Sequence, residues 1–341
     1  MAHALEPRVA RYIATKLPDA ADVAVDALER ISGGASRETY RFRLRYNQAG
    51  QAHERQLILR RDPPASLIDT ERRVEFEAYR AFHGSAVPVP KMLWLEEEDA
   101  ALDRPFFIAE ELSGFQAAPA LLFAGGYDAV LSKVAERKWT ILGEIARADP
   151  VALDLTSVMP VPALDACWRR ELDHWEAIFD AQEAEPQPIA RAAIRWLRAN
   201  PPPPAQKVGV VHGDYRTGNF LYDTEGQIHG ILDWEMAHLG DPLEDLGWSL
   251  NPIWTFGRGL AGGLVPDAQA IAIWERASGL TADPAALHWW TLFNCVKGQG
   301  IWVGSAAAFT KGGNKAPIMI YPAWWLINAQ DRAMLQVMGR L

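Results

Sequence analysis

The chain has 341 residues, a formal net charge of −9, 49% hydrophobic residues and 23% charged residues. This composition is typical of a folded globular protein with two lobes or domains, and it excludes a disordered chain. The acidic balance also argues against an extended basic surface, so we expect no nucleic-acid partner.

The two cysteines, Cys167 and Cys295, lie far apart and match no metal-binding spacing, which favours a reducing compartment. The N-terminal residues include no apolar segment of signal-peptide length, and no apolar run of the sequence is long enough to span a bilayer. We therefore expect a cytoplasmic protein with no membrane partner.

Residues 1 to about 30 have a helical pattern, with apolar residues on one face at Val9, Tyr12, Ile13 and Leu17. We therefore predict a helical segment at the start of the chain.

A turn of small residues follows, formed by Ser32, Gly33, Gly34, Ala35 and Ser36. The residues after it alternate between apolar and polar, as a strand does. Such a turn between two strands lets backbone N–H groups approach phosphate oxygens without interference from Cβ atoms. The alternative is a hairpin that only reverses the chain.

The segment QLILRRDPP predicts a further strand, which ends in Arg60 and Arg61. Strand alternation places Arg60 on the same face as Ile58 and Arg61 on the opposite face. Arginine can bind phosphate oxygens through two nitrogens. The alternative is a pair of surface arginines at a strand end.

The segment TERRVEFEAYRAFHG predicts a helix from its charge pattern and apolar spacing. Glu71, Glu75 and Tyr79 share one face of this helix, whereas Glu77 points elsewhere. Two extended segments, KMLWLEEED and RPFFIAEEL, then predict paired strands. From residue 115 to about 200, the apolar spacing is that of long core helices.

The most informative segment is VVHGDYRTGNFLYD, which continues through GQIHGILDWE. A buried strand and a hairpin are predicted here, with Asp214, Asn219 and Asp233 at the strand ends. The hairpin would bring these side chains together. Two carboxylates and an amide oxygen suit a base and a Mg²⁺ site, since Mg²⁺ prefers oxygen ligands. The alternative is a hairpin whose Asp and Asn residues only make turns.

The order H-G-D-x-x-x-x-N, with D-W-E after the next hairpin, resembles the catalytic segment of the aminoglycoside phosphotransferase and choline kinase family, relatives of the protein kinases. Gly213 stands where protein kinases have arginine, as in the small-molecule kinases. The similarity covers about residues 30 to 325. It implies an α+β, bilobal protein-kinase-like fold, with a nucleotide-binding antiparallel lobe in residues 1–112 and a mainly helical catalytic and substrate-binding lobe in residues 113–341.

The resemblance also implies roles for the residues of this segment. Asp214 would orient and deprotonate an acceptor hydroxyl, while Asn219 and Asp233 would hold Mg²⁺. Arg216, in the same loop, would contact the transferred phosphoryl group or the substrate, or else pair with a loop carboxylate. Asp245 would support the catalytic loop from behind.

By the same resemblance the first lobe binds the nucleotide. The turn at residues 32–36 would cover it, Arg60 would replace the usual phosphate-binding lysine, and Glu75 would pair with Arg60. Main-chain groups near Glu110 to Leu112 would bind the purine edge, and such contacts do not distinguish ATP from GTP.

The C-terminal third is rich in tryptophan and resembles a subgroup related to kinase modules that are fused or adjacent to acyl-CoA dehydrogenases. We therefore expect a functional link to an acyl-CoA dehydrogenase. Candidate acceptor-binding residues in this region, which are otherwise core residues, are Trp289, Trp290, Lys297 and Trp302.

The expected reaction is transfer of the γ-phosphoryl group from Mg·ATP or Mg·GTP to a small-molecule hydroxyl. A hydroxy acid or hydroxyacyl-CoA is the favoured acceptor, and an aminoglycoside or macrolide is the second choice. A non-catalytic nucleotide-binding scaffold is an alternative of another class, motivated by Arg60 in place of lysine. A metal-dependent hydrolase is a third, but the segment lacks the further histidine and carboxylate ligands of such sites.

Overall fold

The computed structural model describes residues 2–31, 37–62, 71–311, 315 and 317–341. The small-residue turn from Ser32 to Ser36 therefore lies outside the described residues. The chain begins with helix α1 (Ala2–Lys16) and continues as strand β1 (Ala20–Arg30).

The prediction of helix up to about residue 30 is wrong for residues 20–30. Strand β1 pairs with the next strand, and its register shifts twice, with positive φ at Asp22 and Ala27. These bulges break the strict alternation by which a strand is recognised in a sequence. Pro18 marks the true end of the helical pattern.

Five antiparallel strands form the sheet of the first lobe, in the order β1-β2-β3-β5-β4. The four strands after β1 are β2 (Glu38–Gln48), β3 (Gln51–Arg61), β4 (Met92–Glu96) and β5 (Phe106–Glu110). One sheet face packs on α1, where Val9 and Ile13 join a core with Phe42, Leu57 and Leu59. The opposite face of the sheet, which carries Ile58 and Arg60, lies on the side of the second lobe.

Helix α2 (Arg72–Phe82) joins the two lobes. Its Phe76 and Tyr79 rings pack against Phe107 of β5, while Phe82 packs against Trp234 of the second lobe. The helix is therefore fixed on both sides, against the sheet of the first lobe and against the second lobe.

The second lobe is mainly helical. Its helices are α3 (Pro119–Ala124), α4 (Leu131–Arg147), α5 (Cys167–Gln182), α6 (Pro188–Ala199), α7 (Leu243–Ser249), α8 (Asp267–Ser278), α9 (Pro284–Thr310) and α10 (Pro317–Val337). Short 3₁₀ turns occur at Asp128–Val130, Leu155–Ser157, Trp234–Met236 and Pro252–Thr255. Helix α9 is central, since α5, α6, α7 and α10 all contact it.

Two small antiparallel sheets complete this lobe and carry the H-G-D segment. Strand β6 (Gly209–Val211) pairs with β9 (His238–Gly240), and β7 (Phe220–Tyr222) pairs with β8 (Ile228–Ile231).

The predicted α+β fold, with an antiparallel first lobe and a helical second lobe, is confirmed. The lobe boundary at residue 112 stays a prediction. Of the helices in the described ranges, none has the length and apolar character needed to cross a membrane.

Candidate active site

A cleft of about 620 Å³ separates the lobes. Ile58 and Arg60 of β3 line its upper wall, and Leu221, Leu232 and Asp233 line the wall opposite. Both lobes therefore contribute to one concave site, and charged residues enter it among the apolar ones: Arg41, Arg60, Glu110, Glu111, Arg216 and Asp233.

The loop after β6 is held through its backbone. The N–H groups of His212 and Gly213 donate to the two carboxylate oxygens of Asp245, at 2.6 and 2.9 Å. Gly213 has φ +84°, and a Cβ atom there would lie 2.4 Å from the carbonyl oxygen of Met236. The position therefore requires glycine, which explains why arginine is absent at this point of the loop.

His212 is buried and uncharged, and its ring links the end of β6 to the end of β8. Its Nδ1 accepts the Asp214 N–H at 3.1 Å, so its Nε2 carries the proton and donates to the Leu232 carbonyl at 2.9 Å. Burial lowers the pKa of His212 and keeps the ring uncharged. The ring thus ties the backbone at Asp214 to the residue that precedes Asp233.

Three donors surround the carboxylate of Asp214. Asn219 Nδ2 lies 2.7 Å from Oδ2, and it also donates to the Asp214 carbonyl at 2.9 Å. Trp248 Nε1 and Arg216 Nε donate to Oδ1 at 2.8 and 3.2 Å. The structure therefore brings Asp214, Asn219 and Arg216 together, and it adds Trp248, which the sequence analysis missed.

Asp233 follows β8 in a left-handed conformation, with φ 63° and ψ 55°. Its N–H donates to the Tyr79 hydroxyl at 2.9 Å, and its Oδ1 accepts Arg60 Nη2 at 2.9 Å. The Leu232 N–H donates to the Asn219 carbonyl at 2.8 Å, which places Asp233 beside Asn219.

The ionisation of the Asp233 carboxyl depends on its burial and on two nearby guanidinium groups. Burial opposes ionisation of the carboxyl, but the Arg60 and Arg216 guanidinium groups outweigh burial and hold the pKa of Asp233 below its usual value. The side chain is nevertheless 39% exposed, so it opens to the cleft. An ionised, accessible carboxylate is therefore available at this point.

Glu75 is the buried glutamate of α2 that pairs with Arg60. Its Oε1 lies 2.7 Å from Arg60 Nη1, as the sequence predicts. Its Oε2 accepts Arg37 Nε at 2.8 Å, a contact that the sequence analysis missed. Arg37 also pairs with Asp62, so the ionic cluster continues into the end of β3. The competing residue Glu77 pairs with Arg80 on the outer face of the helix.

The end of β5 also borders the cleft. Glu110 and Leu112 both line it. The Glu110 N–H donates to the Lys91 carbonyl at 2.9 Å, and its carboxylate pairs with Arg55 at 2.5 Å. The Glu110 side chain is thus paired with Arg55 of β3.

Three of the candidate acceptor-binding residues lie in the core, so that expectation is wrong for them. Trp289 and Trp290 are 1% and 0% exposed, and their indole N–H groups donate to the Leu197 carbonyl and to Asp241. Lys297 is 1% exposed and donates to the Gly213 carbonyl at 2.6 Å. Lys297 therefore supports the loop from within the core of the second lobe.

The free side-chain oxygens of Asn219 and Asp233 fit a hard divalent cation. Asn219 uses its Nδ2 for Asp214, so its Oδ1 is the atom left to act as a ligand. Asp233 uses Oδ1 for Arg60, which leaves Oδ2. One amide oxygen and one carboxylate oxygen are the donors that Mg²⁺ takes when phosphate and water fill its other positions.

Several relatives match this chain over part of their own length. Acyl-CoA dehydrogenase family member 11 of Gallus gallus is 25% identical over 327 residues, which are 90% of this chain and 40% of that protein. Acyl-CoA dehydrogenase family member 10 of Mus musculus is 28% identical over 220 residues, which are 63% of this chain and 19% of that protein. The chain therefore spans less than half the length of these relatives.

Solved structures share the fold over nearly the whole chain. A putative aminoglycoside phosphotransferase from Ralstonia eutropha JMP134 has a TM-score of 0.72 at 20% identity and covers 98% of both chains. The GDP complex of aminoglycoside 2'-phosphotransferase-IIIa has a TM-score of 0.61 at 15% identity, covering 96% of this chain and 98% of that one.

The sequence itself places the chain in a family. Residues 27–290 match the model of the phosphotransferase enzyme family, and this range includes β2, β3, the H-G-D segment and α7. Because the match extends over well more than half of the sequence, the chain belongs to the phosphotransferase enzyme family.

Proposed function

We propose that this protein is a kinase that transfers the γ-phosphoryl group of Mg·ATP or Mg·GTP to a hydroxyl of a small molecule. The observation that carries the proposal is that Asp214 and Asn219 share a hydrogen bond beside Asp233, whose carboxylate lines the cleft and pairs with Arg60 of the other lobe. One wall thus supplies a base and oxygen ligands, while the other supplies fixed positive charge for phosphate oxygens.

Asp214 accepts the proton of the acceptor hydroxyl as that oxygen attacks the γ-phosphorus and the bond to the β–γ bridging oxygen breaks. Asn219 and Asp233 would hold Mg²⁺, which would offset the charge of the phosphates. Arg216 lies beside Asp214 with a 28% exposed side chain, so its charge is available to the transferred phosphoryl group.

The nucleotide occupies the same cleft. Arg60, held by Glu75, contacts its phosphates. Main-chain groups between Glu110 and Leu112 bind the purine edge. The apolar walls, which include Ile58 and Leu232, support this placement because a purine base needs two apolar faces.

We place the acceptor on the side of Asp214 away from the nucleotide. There it lies against an aromatic rim that we define as Phe123, Trp254 and Phe256. Arg216 lies over the Trp254 ring at 4.9 Å, and Arg258 lies over the Phe123 ring at 5.1 Å. The Phe123 and Phe256 rings are 5.2 Å apart. Positive charges on aromatic faces favour an anionic acceptor with an apolar part over a polycationic aminoglycoside.

A hydroxy acid or hydroxyacyl-CoA meets this description. The names of the relatives, which are acyl-CoA dehydrogenases, support the same class and a functional link to such a dehydrogenase. An aminoglycoside or macrolide is the second candidate. It is supported by the fold that the chain shares with an aminoglycoside phosphotransferase, APH(4)-Ia, whose structure is a ternary complex with ADP and hygromycin B.

The test is Mg²⁺-dependent release of ADP or GDP across a panel of hydroxy acids, hydroxyacyl-CoAs, aminoglycosides, macrolides and choline. We expect one class to stimulate release, and Asp214→Asn to lower that rate by about 10²–10⁴-fold. Asp180→Asn, which changes an exposed carboxylate on α5, is the matched control. Absence of stimulation despite tight nucleotide binding would favour the scaffold, and an unimpaired Asp214→Asn variant would exclude Asp214 as the base.

The metal assignment has its own test. Titration calorimetry with ADP is expected to show Mg²⁺-dependent binding to the wild type, and Asp233→Ala is expected to abolish the dependence. Equal affinity of the wild type with and without Mg²⁺ would contradict the assignment of Asn219 and Asp233 as ligands.

A further inference from the structure

Helix α7 lies directly behind the loop that carries Asp214. Its residues Asp245 and Trp248 are three positions apart and therefore share a face. Asp245 accepts two backbone N–H groups of the loop, and Trp248 donates its indole N–H to Oδ1 of Asp214 at 2.8 Å. One short helix therefore contacts both the backbone of the loop and its central carboxylate.

The two carboxylate oxygens of Asp214 differ in how many further hydrogen bonds each can accept. A carboxylate oxygen has two lone-pair directions. Oδ1 accepts both Trp248 Nε1 and Arg216 Nε, at 2.8 and 3.2 Å. Within the described ranges, Oδ2 accepts Asn219 Nδ2 alone, at 2.7 Å. Oδ2 is therefore the oxygen that retains a free direction for a hydroxyl proton.

The indole ring that makes this contact is held firmly. Trp248 is 1% exposed, and the Trp254 ring packs edge-on against it at 5.4 Å. The ammonium of Lys297 lies 5.3 Å above the ring and also donates to the Gly213 carbonyl. The N–H of Trp248 is thus fixed relative to both the loop and helix α9.

We propose that Trp248 is a positioning residue for phosphoryl transfer. Its indole N–H fixes the Asp214 carboxylate through Oδ1, so that Oδ2 is presented to the acceptor hydroxyl. This role rests on the proposed function, because it concerns the residue that acts as base. A carboxylate without this donor can rotate about its χ2 angle, and misplacement of a reacting group by about 1 Å costs up to about 10²-fold in rate.

The kinetic test is Trp248→Phe, which removes the N–H and keeps an aromatic ring. We expect kcat to fall by about 10- to 100-fold, with the KM for nucleotide unchanged within about twofold. A merely structural role of Trp248 would lower the amount of folded protein and would not lower kcat at an unchanged KM.

The matched control is Trp274→Phe. Trp274 is also fully buried, but it lies in α8, and its Nε1 has no hydrogen-bond partner in the described part of the chain. The control loses the same volume from the core without touching Asp214. Equal kcat values for the two variants would overturn the positioning role.

A second measurement does not depend on turnover. In a ¹H–¹⁵N spectrum of protein labelled at its 14 tryptophans, the Trp248 indole signal is the one that Trp248→Phe removes. We expect Asp214→Asn to shift this signal and to leave the Trp274 signal in place. An unmoved Trp248 signal would show that the hydrogen bond is absent. A wild type that transfers phosphate to no acceptor would instead overturn the proposed function, and this role with it.

Discussion

Arg60 of β3 and Glu75 of α2 meet at 2.7 Å, although the Glu75 carboxylate is completely buried. The other carboxylate oxygen accepts Arg37 Nε at 2.8 Å. Loss of one partner from such a buried pair is costly, because the remaining charge stays desolvated. Glu75 is therefore the buried partner of Arg60, while Asp233 holds its other nitrogen at the cleft.

The variant Glu75→Gln tests this pairing. We expect its free energy of unfolding to fall by about 3–5 kcal/mol, because the guanidinium groups of Arg37 and Arg60 lose their fully buried counter-charge and keep only the more exposed Asp62 and Asp233. Nucleotide affinity should fall as well, since Arg60 loses one of its two carboxylate partners and keeps only Asp233. Urea denaturation and nucleotide titration measure the two effects. Glu77→Gln on the outer face of α2 is the control, and equal stability of the two variants would contradict the account.

The variant Arg60→Lys tests whether the two-nitrogen fork of arginine is needed at this position, or positive charge alone. Arg60 reaches Glu75 through Nη1 and Asp233 through Nη2, at 2.7 and 2.9 Å. Lysine has one charged nitrogen and does not reproduce this fork. We expect the KM for nucleotide to rise by about tenfold, which is about 1.4 kcal/mol of binding. Arg61→Lys, on the opposite strand face with Glu38, is the control. Equal KM values would show that positive charge alone is enough.

The candidate site was predictable where its residues are neighbours in sequence. Asp214, Asn219 and Asp233 belong to one loop and one hairpin, so their spacing alone brings them together. Contacts across the fold gave no such signal: Tyr79 reaches Asp233 across 154 positions, and Trp248 reaches Asp214 across 34. Arg37 was missed for the same reason, since nothing near it in the sequence identifies Glu75 as its partner.

The fold was predictable where the periodicity was regular. Strands β2 and β3 and the long helices follow their patterns, whereas β1 was read as helix because bulges interrupt its alternation. The assignment of Trp289, Trp290 and Lys297 failed because α9 is apolar on almost all sides. A helix buried all round gives no sequence signal that separates the face towards the cleft from the face towards the core.

The variant Gly213→Ala tests the steric constraint on the catalytic loop. Gly213 has φ +84°, and its Cβ would meet the Met236 carbonyl oxygen at 2.4 Å. Gly50→Ala is the matched control, because Gly50 has φ +78° with no atom within 4 Å of the new Cβ. We expect about 1–2 kcal/mol of destabilisation at Gly50 from the backbone alone. Gly213→Ala should cost about 1–3 kcal/mol more, since overpacking is added. Equal losses in urea denaturation would contradict the steric explanation.

His238 lies between two carboxylates behind the catalytic loop. Its Nε2 is 3.1 Å from Glu244 and 3.6 Å from Glu171, and Lys297 pairs with Glu244 at 3.0 Å. Burial opposes protonation, but the carboxylates of Glu171 and Glu244 outweigh it and raise the pKa of His238 to about 9. The folded-state value is thus above the unfolded value of about 6.5.

The stabilisation from protonated His238 is therefore fully present below about pH 6.5 and is lost as the pH rises through about 9. We expect His238→Asn to be less stable than the wild type at pH 6 by roughly 3 kcal/mol, from about 1.4 kcal/mol per pKa unit. Urea denaturation at pH 6, 8 and 10 should show this gap closing at the highest pH. His174→Asn is the control, because burial lowers the pKa of His174, so its gap should not close above pH 7. A constant gap between wild type and His238→Asn from pH 6 to 10 would show that His238 is uncharged in the folded protein.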